Sequence, residues 1–147
     1  MKFNYAFQKI VDLKGNEKAQ AEWMLSAALG ELQSEEKSLH ELLFKREEIG
    51  SALQRAAQQS APISEIRSLQ SYVEYLDVCI TKKENDIQSA HRNVHHKQER
   101  LQETMLDEKV WLKAKEKSSE KFRQESLLRE QNELDEMATV RYAVQAR

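Results

Sequence analysis

The chain has 147 residues, a formal net charge of −2, three glycines and one proline, and 33% of its residues are charged. Balanced charge argues against general nucleic-acid binding, and no apolar run is long enough to span a membrane. Few turn formers among many Ala, Glu, Lys, Leu, Arg and Gln residues predict long helices and no sheet. The single cysteine, Cys79, can form no internal disulfide, which is typical of a reducing cytoplasm.

The first half of the chain joins an aromatic-rich start to a heptad pattern. Phe3, Phe7 and Ile10 have the spacing of one helix face, and Gly15 is expected to kink or briefly break the helix. From Lys18 onward a heptad frame places these apolar residues at its a and d positions: Ala21, Leu25, Ala28, Leu32, Leu39, Leu42, Ile49, Leu53 and Ala56. The pattern predicts a first helix over about 3–58.

The one clear break lies around Pro62. Proline removes an amide donor and disfavours helical angles at Ala61, while Ser64 is expected to cap the next helix. We therefore predict a turn over about 59–64, a second helix over about 64–140 and a tail over 141–147.

The second helix carries the strongest pattern of the chain. Every seventh position is β-branched or leucine: Ile66, Val73, Ile80, Ile87, Val94 and Leu101. A strict seven-residue repeat corresponds to 3.5 residues per turn and predicts supercoiling against a partner helix.

The two heptad frames mesh as an antiparallel pair whose midpoint lies next to Pro62. Ile49 meets Val73 and Ala28 meets Val94, pairs whose residue numbers each add to 122. We predict an all-α fold: two long helices in an antiparallel coiled-coil hairpin, the C-terminal helix being the longer, within a single elongated domain over 1–147.

This register leaves part of the second helix without an internal partner. Met1 would lie opposite residue 121, so the first helix would not cover the chain from Phe122 onward. The apolar residues concerned are Leu127, Leu128, Leu134, Met137, Val140, Tyr142 and Val144. They predict an interaction surface, and the alternative is a frayed tail.

No residue pattern points to chemistry. The three glycines are scattered, so no phosphate-binding loop exists, and no nucleophile lies in a recognisable motif. Of the cluster His91, His95 and His96, the first two share one helix face and could hold a metal by their spacing. No third ligand lies at a fixed spacing from these two, so we expect solvated histidines. We predict no catalytic, cofactor-binding or metal-binding residue and a protein that is not an enzyme.

A second row of side chains runs beside the seam of the second helix. Tyr72, Leu76, Cys79 and Lys83 follow the spacing i, i+4, i+7 and i+11, so they share one face. This Tyr72 row is either a widened core face or a contact surface.

Three stretches together resemble the FliJ family, small coiled-coil components of the bacterial flagellar protein-export apparatus. They are the start FNYAFQKIVDLKGNEK, the segment SEIRSLQSYVEYLD and the ending NELDEMATVRYA. The resemblance implies a coil similar to the stalk of a rotary ATPase, with the export ATPase FliI, the export-gate protein FlhA and unladen export chaperones as partners. It also implies a cytoplasmic protein, peripheral to the inner membrane at the flagellar base, without direct membrane insertion, that serves flagellum biogenesis and motility.

The same resemblance assigns two surfaces. The Tyr72 row matches the family's gate contact, with Tyr, Cys and Lys where other members can carry Phe, Ala and His. The uncovered part of the second helix and the resemblance together place the ATPase contact at the start of the first helix and on the second helix from about Phe122 onward. Its residues are Phe3, Phe7, Phe122, Leu127, Leu134 and Met137. The alternatives are the stalk of a non-flagellar type III secretion ATPase and a purely structural coiled-coil adaptor.

Overall fold

The structure is a computed structural model and describes residues 2–146. Two helices, α1 (Gln8–Gln58) and α2 (Ile63–Gln145), contain nearly all of this range, and it includes no strand. The prediction of an all-α antiparallel hairpin with a longer C-terminal helix is confirmed. Contacts divide the chain into two compact units: unit 1 joins the chain up to Ala19 to the chain from Glu103 onward, and unit 2 is Gln20–Gln102.

The core of unit 2 is the predicted heptad seam. Ala28, Leu32 and Val94 are buried in one cluster, against which Leu25, Ile87 and Ala90 pack. Ala28 and Val94 were expected in one layer, so this part of the register is confirmed. Small residues at Ala28 and Ala90 allow the two helix backbones to approach each other closely.

Two of the less apolar layers of unit 2 contain ion pairs. Lys83 Nζ lies 2.9 Å from Glu35 Oε2, and Arg46 Nε lies 2.8 Å from Asp77 Oδ1. Each pair joins the two helices and would be lost if one helix slid along the other, so these pairs favour one register over its neighbours.

The turn between the helices is closed by the backbone. Ser60 has a φ of 56°, and the amide of Ala61 donates to the carbonyl of Ala56 at 3.0 Å, which is the Schellman arrangement of a helix C-terminus. The next helix begins at Ile63, and the Pro62 carbonyl accepts from Glu65 and Ile66. The expectation that Ser64 caps α2 is therefore wrong, because Ser64 already lies inside the first turn.

Unit 1 has a more polar seam than unit 2. Val11 and Thr104 are buried, while Lys14 Nζ lies 2.8 Å from Asp107 Oδ2 and Lys18 Nζ lies 3.1 Å from Glu108 Oε1. The Asp107 hydrogen bond raises the pKa of Lys14. The helix passes through Gly15 without the predicted break. Because Gly15 has no side chain, it leaves room for Glu108, whose Oε2 would lie 3.3 Å from a Cβ added at this position.

Both ends of the chain differ from the predicted boundaries. Helix α1 begins at Gln8 rather than near Phe3, and the chain over 2–7 is not helical. The Phe7 carbonyl accepts hydrogen bonds from the amides of Ile10 and Val11 at the start of the helix. Helix α2 continues to Gln145, so most of the predicted tail is helical. The predicted position of Met1 lies outside the described residues.

Candidate functional site

The four members of the Tyr72 row lie at different depths in unit 2. Leu76 is only 2% exposed and belongs to the core, whereas Tyr72, Cys79 and Lys83 are half-buried. Lys83 is held by its ion pair with Glu35. Only three members therefore offer surface to a partner, and Leu76 supports them from below.

Two neighbours that the row did not include complete this face. The Lys45 ammonium lies 5.7 Å from the centre of the Tyr72 ring, and the Tyr75 ring lies 6.2 Å from the same ring. The Tyr72 side chain raises the pKa of Lys45, and the Cys79 side chain raises that of Tyr75. Lys45 lies on α1, so its proximity was not visible in the spacing of α2.

Unit 1 gathers an aromatic cluster around its N-terminal segment. The ring centres of Phe3 and Phe122 are 5.4 Å apart, those of Phe7 and Trp111 are 6.0 Å apart, and Tyr5 lies between Phe3 and Phe7 at 6.3 and 5.8 Å. Trp111 and Tyr5 were missed, although Trp111 falls on the continued heptad frame of α2.

Phe122 is half-buried, contrary to the expectation that nothing covers the chain from Phe122 onward. The reason is the non-helical start of the chain. A helix advances 1.5 Å per residue, whereas non-helical chain can advance up to about 3.3 Å per residue. Phe3 therefore reaches about one turn further along α2 than a helical start would allow.

Beyond Phe122 the expected exposed surface is present. Leu127, Leu134 and Met137 are 54%, 66% and 59% exposed. At 100° per residue, Leu127 and Leu134 lie about 140° and 120° around the α2 axis from Phe122, so they point away from the seam. Met137 lies about 60° from Phe122. Four acidic residues accompany it, namely Glu130, Glu133, Asp135 and Glu136, all exposed.

The histidine cluster lies on the exposed surface of α2. His95 Nε2 lies 3.0 Å from Glu99 Oε1 on the same helix, and His91 Nε2 lies 3.8 Å from Glu36 Oε1. Over residues 2–146, no group of three or more His, Cys, Asp and Glu side chains has a geometry that could hold a metal ion. In the same range, neither helix has a stretch apolar enough to cross a lipid bilayer.

Comparisons with known proteins agree with this fold. A curated relative, the flagellar FliJ protein of Bacillus subtilis (strain 168), is 26% identical over 145 residues, which cover 99% of each chain. Among solved structures, a Chlamydia trachomatis protein described as a YscO homolog has a TM-score of 0.72, with 15% identity and 98% of each chain covered. At that identity the second likeness shows the fold alone.

The family comparison covers both units and both surfaces described above. The model of the flagellar FliJ protein family matches residues 2–147. The matched range includes the Tyr72 row, the aromatic cluster and the terminal row. The chain therefore belongs to the flagellar FliJ protein family.

Proposed function

We propose that this chain is a non-enzymatic component of the flagellar type III protein export apparatus. In this role it binds an export ATPase ring and an export-gate protein, assists export chaperones, and stays peripheral to the membrane through these partners. Family membership over residues 2–147 supports the export role. The observation that carries the binding role is the exposed terminal row of α2, which no part of unit 1 covers.

The terminal row is the ATPase contact in this proposal. Apolar side chains left in water cost about 25 cal/mol for each Å² that a partner could cover. The row lies among carboxylates, Glu130, Glu133, Asp135 and Glu136, so a partner with apolar pockets between basic side chains is complementary to it. Basic residues lining a ring opening would provide that arrangement.

The aromatic cluster supports the same contact. Phe7 is 52% exposed while it touches Trp111, so part of its ring is free for a partner. Phe3 and Phe122 contact each other, and this contact holds the N-terminal segment against α2. In this proposal Phe7 contributes to the binding surface directly, and Phe3 with Phe122 positions it.

The gate contact lies on unit 2. Tyr72, Cys79 and Lys83 are partly accessible along one face of α2, and Tyr75, 61% exposed, extends it. Tyrosine is enriched at contacts between proteins, and a polar rim such as these lysines would form surrounds the apolar centre of such contacts. Because the gate and ATPase contacts lie in different units, each can be removed by mutation without altering the other.

The ATPase contact is tested by capture of the export ATPase and by stimulation of ATP hydrolysis. A chain that ends at Phe122 should keep unit 2 folded and lose both activities. Leu134→Glu should lose most of both, because a charge would replace the centre of the row. Leu128→Glu is the matched control, since Leu128 is equally exposed but lies about 100° from Leu127 around the helix.

Binding that survives both the truncation and Leu134→Glu would contradict the proposal. The contact would then lie elsewhere, with the turn at Pro62 as the next candidate. Capture of an ATPase from a non-flagellar secretion system would support the same binding surface but assign the chain to that secretion system.

A further inference from the structure

One exposed stripe of α2 in unit 1 has a symmetric arrangement of residues. The spacing between its members is the same from either end, and charged residues at corresponding positions have opposite charges. Its members are Met105, Lys109, Leu112, Glu116, Arg123, Leu127, Glu130 and Leu134, and every one of them is exposed. At 100° per residue they fall within an arc of about 60°, and the centre of this arc lies about 110° around the α2 axis from Phe122.

The order of residue types is self-complementary. Counted inward from the two ends, apolar Met105 corresponds to Leu134, and basic Lys109 to acidic Glu130. The next pair inward is Leu112 with Leu127, both leucine. The innermost pair is Glu116 with Arg123, again of opposite charge. The steps between neighbours are also identical from either end.

We propose that this stripe pairs with the same stripe of a second copy of the chain. Two copies related by a twofold axis between Ser119 and Glu120 would run antiparallel along α2. Each apolar residue then meets an apolar residue of the other copy, and each basic residue meets an acidic one. Such a contact is isologous: both copies use the same surface, as in most closed dimers.

Other registers are disfavoured by like charges. A shift of one heptad in one direction places Glu116 opposite Glu130 and Arg123 opposite itself. A shift in the other direction places Lys109 opposite Arg123 and Glu116 opposite itself. Like charges facing each other in a helix pair oppose association, so the pattern selects one alignment by repulsion as well as by attraction.

The local geometry keeps the central charge available. Arg123 Nη2 lies 2.8 Å from Glu120 Oε1 on the same helix, and both side chains remain exposed. This hydrogen bond raises the pKa of Arg123 and lowers that of Glu120. Held there, the guanidinium is close to the twofold axis, where Glu116 of the other copy would meet it.

Self-association would cover part of the terminal row. Leu127 and Leu134 belong to both surfaces, so pairing of two copies and binding of another protein at this row exclude each other. The dimer inference does not depend on the proposed function, because it can be measured with the purified chain alone.

Sedimentation equilibrium of the full chain, over a concentration series at low and high salt, tests the pairing. Glu116→Arg and Arg123→Glu should each raise the dimer Kd at least about tenfold, because the twofold axis repeats the repulsion. The double variant Glu116→Arg with Arg123→Glu should restore the native Kd. Glu116 and Arg123 are about two turns apart on one helix, so recovery cannot arise from a direct contact between them within one copy.

Lys121→Glu is the matched control. It changes the net charge as Arg123→Glu does, but Lys121 lies well outside the stripe around the helix axis, so its Kd should stay native. Circular dichroism confirms that each variant keeps its helix content. A native chain that stays monomeric up to millimolar concentration would overturn the proposal. A double variant that associates no better than the single variants would overturn it equally.

Discussion

Lys83 and Glu35 form an ion pair across the seam of unit 2, with Lys83 Nζ 2.9 Å from Glu35 Oε2. Both residues occupy d positions, where a coiled coil ordinarily holds apolar side chains. The Glu35 carboxylate raises the pKa of Lys83. A pair of this kind contributes little net stability relative to apolar residues, but each member depends on the other.

We therefore expect a single substitution in the pair to lower Tm and the double substitution to keep or raise it. Lys83→Leu alone leaves the Glu35 carboxylate half-buried and should lower Tm. Lys83→Leu combined with Glu35→Leu should give a Tm at or above that of the native chain, because leucines refill the layer. Thermal unfolding followed by circular dichroism measures both. Equal Tm values for the single and double variants would show that the pair is not coupled.

The same pair predicts a loss of stability at alkaline pH. Because the folded state holds the Lys83 proton more tightly than the unfolded state does, its contribution is complete at neutral pH. It disappears as the pH rises above the ordinary lysine pKa of about 10.4 and through the raised value. Urea unfolding at neutral pH and above pH 11 gives the free energy of unfolding at each pH. Its decrease between the two should be smaller for the double leucine variant than for the native chain. Parallel decreases in the two proteins would assign the effect to other groups.

The left-handed conformation of Ser60 predicts a stabilising substitution. Its φ of 56° suits glycine, which adopts such angles without the steric cost that a Cβ adds. Ser60→Gly should increase the free energy of unfolding by about 0.5–1 kcal/mol, after the greater freedom of glycine in the unfolded chain is subtracted. Ser60→Ala is the control and should give no increase. A Ser60→Gly chain no more stable than the native one would mean that the turn relaxes at this position.

The Tyr72 row predicts a separation between stability and partner binding. Leu76→Ala should cost about 2–5 kcal/mol of unfolding free energy, because Leu76 is nearly fully buried. Tyr72→Ala removes a half-buried side chain and should change stability much less, while it weakens capture of the export-gate protein. If Tyr72→Ala retains native helicity and native gate binding, the row is only part of the core.

The aromatic cluster predicts that a single ring holds the N-terminal segment. Phe3→Ala removes the contact with Phe122 and should cost about 1 kcal/mol of local stability. Hydrogen exchange should become faster at the amides of Ile10 and Val11, which donate to the Phe7 carbonyl. Phe3→Tyr keeps an aromatic ring and should exchange like the native chain. Unchanged exchange in Phe3→Ala would show that other contacts hold the segment.

Sequence periodicity was sufficient for the helices and their pairing. Positions such as Ala28, Val94 and Leu76 could be placed because a seven-residue repeat defines a seam whatever its flanking residues are. The start of α1 could not be placed, since Phe3, Phe7 and Ile10 fit a helix face as well as they fit an aromatic cluster. Contacts between distant positions, such as Lys45 with Tyr72, depend on where long side chains reach, which a pattern along one helix does not encode.

The non-helical segment over 2–7 has a consequence for insertions and deletions. Removing one residue from α1 rotates every later side chain by about 100° about the helix axis, which takes Ala28 and Leu32 out of phase with Val94. Removing one residue between Phe3 and Phe7 shortens the segment by at most about 3.3 Å and rotates nothing in the helices. We therefore expect changes of length to be tolerated in these first residues and to dismantle the pairing elsewhere in α1.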